Sequence, residues 1–144
     1  MVPTLAGRIQ SRIFLLATVG VLVTALLTPL LPLPGSLSAA YKTTYIILAT
    51  TLVLGIGWEL LYHLLMQWRW EKDWPSLFAL VTMVPEGLLA WILLAAHAVP
   101  AIVTLPLSAF LIEFIVVWVC VWLVGQGPMR VPFIRWRFHG GRLI

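Results

Sequence analysis

The chain has 144 residues, 62% of them hydrophobic and only 10% charged, with a mean hydropathy of +1.04 and a formal net charge of +4. A water-soluble domain carries about a quarter charged residues and under half apolar ones, so this composition cannot cover a core in water and reads as one compact integral membrane domain. The single cysteine, Cys120, excludes an internal disulfide, a CxxC redox pair and a cysteine-based zinc site; in its apolar run it is expected to be a small buried hydrophobe.

Four apolar segments follow in chain order, each near the roughly 20 residues that cross about 30 Å of hydrocarbon. The first covers 13–33 and closes in the proline cluster TPLLPLPG. Arg8 and Arg12 precede it and SLSAA follows, as around a secretory signal, but the run exceeds a signal core and is expected to be a retained helix. The second covers 45–68. The third covers 76–99, with Pro75 placed for the first turn. The fourth covers 101–124, and only Val99-Pro100 separates it from the third, which predicts a tight hairpin. Lipid admits helices or closed barrels as spanning structures, and these runs do not alternate as strands do. The expected fold is therefore all-α: a bundle of four transmembrane helices over residues 1–125, followed by a tail over 126–144.

Charge placement predicts orientation. With four spans, one face collects Arg8, Arg12, Arg69, Lys72, Arg130, Arg135, Arg137 and Arg142, and the other holds Lys42. Under the positive-inside rule both termini are expected to be cytoplasmic. The excess of arginine over lysine suggests a high-GC bacterium, and so a bacterial plasma (inner) membrane as the expected location. Trp68, Trp70 and Trp74 flank the loop between the second and third spans, where indoles anchor at headgroup level, and Tyr41 and Tyr45 sit at the opposite face. The tail interleaves rings and charges over 133–139; Arg135, Trp136 and Arg137 are expected to lie on anionic lipid headgroups. Its basic residues are too few for a nucleic-acid interface.

The acidic residues carry the functional information. Glu71 and Asp73 belong to the loop RWEKDW, but Glu59, Glu86 and Glu113 each fall within a different span. At 1.5 Å per residue Glu59 lies roughly 12 Å from the cytoplasmic end, and Glu86 and Glu113 roughly 18 Å, so all three are expected at one level near mid-membrane. Thr51, Gly55, Glu59 and His63 step by four along the second span, a small-and-polar stripe suited to close helix packing. Thr82, Glu86 and Ala90 do so on the third, and Ala109, Glu113 and Cys120 share a face of the fourth. Pro85, directly before Glu86, removes a backbone hydrogen bond and predicts a kink.

No Lys or Arg falls inside the four predicted spans, so the carboxyls are expected to lack an internal countercharge. Protonation, a bound cation, or a side chain from another subunit would satisfy them. Glu59 and His63 share a face, but without a second nearby histidine they make a poor metal pair, and no metal site or cofactor is expected. His63 and His97 lie too far apart in depth to share a haem. The main functional expectation is a non-catalytic accessory or assembly subunit that packs against other membrane subunits. The alternative is a small proton- or cation-coupled transporter or channel with Glu59, Glu86 and Glu113 as relay or binding groups. A lipid-modifying enzyme ranks last, since the acidic residues lie away from the headgroups and no GxSxG, Walker, HExxH or kinase motif is present.

Overall fold

The computed structural model describes residues 4–69, 76–99, 102 and 104–144. Four helices are long and apolar enough to cross a membrane: α1 (Leu5–Leu30), α2 (Leu37–Gln67), α3 (Leu77–Ala95) and α4 (Leu107–Arg130). A short α5 (Ile134–Phe138) follows, and no strand occurs among the described residues.

α1 begins eight residues before the apolar run does. Thr4 caps it, its hydroxyl accepting from the Gly7 amide at 3.1 Å, and LAGRIQSR continues as regular helix from there. Arg8 and Arg12 therefore lie inside the helix rather than ahead of it. α2 likewise starts at Leu37, where Ser36 accepts from the Ala39 amide at 3.3 Å. α3 is broken into Ser76–Val81 and Met83–Ala95 at Thr82. Pro85 offers no amide to the Val81 carbonyl, so the break falls one turn upstream of the proline. There the Ala79 carbonyl accepts from the Thr82 hydroxyl at 3.0 Å and from the Trp118 indole at 3.2 Å. The tight hairpin expected at Val99-Pro100 falls partly outside the described residues, which omit 100, 101 and 103. α3 ends at Ala95 and α4 starts at Leu107, after Pro106, which has no amide to continue a helix backwards. In the connection His97 takes φ 54° and its ring nitrogen lies 3.4 Å from the Ile102 carbonyl.

Burial is inverted relative to a water-soluble bundle. Thr24, Thr28, Thr44, Thr51, Thr82 and the three glutamates are buried, while Leu22, Leu26, Val53, Leu64, Val84 and Leu88 are exposed on the outside. Lipid favours this arrangement, since apolar side chains are at no disadvantage outside and polar ones find partners only inside. Ile47, Ala90, Leu94, Phe110 and Phe114 form the main apolar core. Gly87 lets α3 close on α4: a β-carbon there would stand 2.6 Å from the Phe114 ring.

One irregularity in α1 positions the interior. Leu16–Gly20 is π-helical. On a regular helix Arg12 and Thr24, twelve residues apart, would point about 120° away from each other. A π segment absorbs one residue, leaving an effective spacing of eleven and a separation of about 20°. Both side chains thus face the bundle interior.

The tail folds back on α1. The Thr4 amide donates to the Gly140 carbonyl at 2.9 Å, Trp136 donates to the Ser11 hydroxyl at 2.6 Å, and the Leu143 amide donates to Gln10 at 2.9 Å. Phe14 and Phe133 meet edge to face at 5.2 Å. Gly140 and Gly141 take φ of 64° and 81°, and Gly7 lies directly against their backbone. Trp136, expected as a lipid anchor, is held by protein on its polar edge, whereas Arg135 and Arg137 are exposed. Trp68 is exposed; Trp70 and Trp74 lie outside the described residues.

Candidate functional site

The interior polar groups divide into two clusters along α1. In the first, Arg8 and Arg12, one turn apart, reach across to α2 and α3. The Arg8 Nε donates to Glu59 at 2.6 Å. Arg12 bridges two carboxylates: its Nε and Nη2 approach Glu59 Oε1 at 3.0 and 2.9 Å, and its Nη1 and Nη2 donate to Glu86 at 2.7 and 3.1 Å. Two guanidiniums against two carboxylates make the cluster neutral, so a charge that burial would otherwise forbid is compensated on the spot. Bidentate geometry of this kind is specific to arginine.

Neighbouring residues are fitted to the pair. Gly55 lies against the Arg12 side chain so closely that a β-carbon would occupy the guanidinium's place. Arg12 also sits 5.5 Å from the centre of the Trp118 ring. The expectation that the buried carboxyls lack an internal countercharge is thus overturned for Glu59 and Glu86. The physical reason is the position of the helix start: hydropathy excludes charged residues from a span, but the capped helix carries both arginines into the bundle.

The second cluster contains Glu113. Its Oε1 accepts from Thr24 at 2.6 Å, Thr28 donates to the Thr24 carbonyl at 2.6 Å, and the Thr28 and Thr44 hydroxyls are 2.8 Å apart. Glu113 is 1% exposed, and its Oε2 has no hydrogen-bond partner among the described residues. It has no ion-pair partner there either. Thr24 lies twelve residues beyond Arg12, about 18 Å of helix. Glu59 and Glu86 join the arginines, whereas Glu113 makes no hydrogen bond or ion pair to that cluster among the described residues.

A cavity of about 320 Å³ runs between the clusters along α4. Arg8, Arg12, Glu59 and Tyr62 border it at one end and Glu113 at the other, with Phe114, Trp118 and Trp122 along its wall. Trp136 and Gly141 of the tail also line it. The Tyr62 hydroxyl lies beside Glu86 and Thr82, yet it is buried without a partner at hydrogen-bond geometry among the described residues.

Of the other residues singled out from the sequence, Thr51 bonds within its own helix, to the Ile47 carbonyl at 2.9 Å. His63 does not join the carboxylates: its Nε2 lies 3.3 Å from Gln67 at the end of α2. Pro85 is exposed and acts through the backbone. Among the described residues no group of three or more His, Cys, Asp and Glu side chains is placed to hold a metal. Sequence reasoning missed Arg8 and Arg12 altogether. The signal present in the sequence was the pair Arg8 and Arg12, one helical turn apart directly before the apolar run. No family model, curated protein or solved structure matches this chain.

Proposed function

We propose that this chain is a small multi-pass membrane protein that admits a proton or a cation to its interior, with Glu113 as the group that receives it. The observation that carries this reading is the cavity that joins a neutral Arg/Glu cluster to a carboxyl holding only a hydroxyl partner. Glu59 and Glu86 serve as the fixed counterions of Arg8 and Arg12 and set the architecture of that end of the cavity. Orientation follows from Arg69, Lys72, Arg130, Arg135, Arg137 and Arg142, which favour a plasma-membrane protein with both termini cytoplasmic even when the internally paired Arg8 and Arg12 are discounted.

The test is flux in proteoliposomes under an imposed potential and pH gradient, with wild type against Glu113→Gln. The reading requires wild-type flux that the variant loses; equal flux in both, or none in wild type, contradicts it. The assembly-subunit reading rested on carboxyls waiting for a partner's countercharge. Arg8 and Arg12 supply two of these, and the third faces the cavity within the chain. Purification of tagged protein from native membranes discriminates the two: stoichiometric co-purifying subunits favour assembly, and a monodisperse single chain favours the transport reading.

A further inference from the structure

We propose that the cavity is a binding site for a monovalent organic cation with an apolar body, held by Glu113 and the aromatic wall beside it. The inference rests on the reading of Glu113 above and names the class of solute it accepts. Charge counting sets the sign. Three buried carboxyls face two buried guanidiniums, and both guanidiniums are committed to Glu59 and Glu86, so one carboxyl is left over. A single positive charge near Glu113 completes the balance, while an anion would add a second uncompensated charge.

Shape and chemistry of the wall set the rest. Phe114, Trp118, Trp122 and Trp136 line the cavity together with apolar residues, and aromatic faces attract cations whose charge is spread over methyl or methylene groups. A hard metal ion needs six or more oxygen ligands, which one carboxyl oxygen and an aromatic wall do not supply. Among the described residues no cluster suits a metal. The volume of about 320 Å³ matches a small-molecule site. The buried, unpartnered Oε2 of Glu113 is the natural counterion, since Oε1 is already fixed by Thr24 and the carboxylate plane is thereby oriented.

The probe is benzyltrimethylammonium, with neopentylbenzene as its uncharged isostere, titrated against purified full-length protein in detergent and read by tryptophan fluorescence. Saturable quenching by the cation and none by the isostere is expected. Glu113→Gln is expected to weaken cation binding at least about tenfold, and Glu113→Asp to retain part of it. Where Glu113→Gln does not elute as monodisperse protein, the Asp variant and the isostere carry the comparison. Equal response to cation and isostere, cation binding untouched by Glu113→Gln, or no saturable binding overturns the proposal. Binding without flux in proteoliposomes removes the transport reading and leaves this site standing. Glu113-dependent proton flux without cation binding does the reverse.

Discussion

The two halves of the interior solve the same problem in different ways. At one end, Glu59 and Glu86 are matched by Arg8 and Arg12 with geometry close enough to fix four side chains. At the other, Glu113 has a threonine hydroxyl and a buried oxygen without a partner among the described residues. A paired, neutral cluster holds helices together but has nothing to offer a solute. A carboxyl left incomplete adds little to stability and is free to bind. On the proposal above, architecture and function fall to different glutamates, although all three look alike in the sequence.

This contrast breaks most sharply at Arg12. Arg12→Ala leaves two buried carboxylates short of a countercharge, and a loss of about 3–5 kcal/mol is expected, read as a collapse of the thermal midpoint in detergent. Gly55→Val drives a side chain into the guanidinium's place and should lose about 2 kcal/mol by the same measurement, with Gly55→Ala in between. In the second cluster the effects are smaller. Thr28→Val removes the hydroxyl shared with Thr44 and should lose about 1 kcal/mol. Glu113→Gln keeps an acceptor for Thr24 and should change stability by less than about 1 kcal/mol, even as it removes flux and cation binding. A large loss of stability from Glu113→Gln would make it a structural group like the other two. Gly7→Ala should leave the bundle intact and free the tail, because the new methyl meets the Gly140 carbonyl; faster amide exchange confined to 139–144 is the readout.

The four spans were legible because apolar runs of that length have few other uses, and the buried face of α2 was legible because Thr51, Gly55 and Glu59 keep a four-residue step. The start of α1 was not. A hydropathy window ends where charge begins, whereas the helix begins where Thr4 caps it, and the countercharges lie between those two points. The π segment cannot be read from composition, yet it brings Thr24 into line with Arg12. Docking of the tail depended on Gly7 meeting Gly140 and Gly141, three small residues whose significance appears only when the ends of the chain are brought together.

The most direct test of this division is a pair of double-mutant cycles on unfolding in detergent, one coupling Arg12→Met with Glu86→Gln and the other coupling Arg12→Met with Glu113→Gln. A coupling of about 2 kcal/mol or more is predicted for Arg12 with Glu86, and additivity within about 0.5 kcal/mol for Arg12 with Glu113. Additivity in the first cycle, or comparable coupling in both, would contradict it.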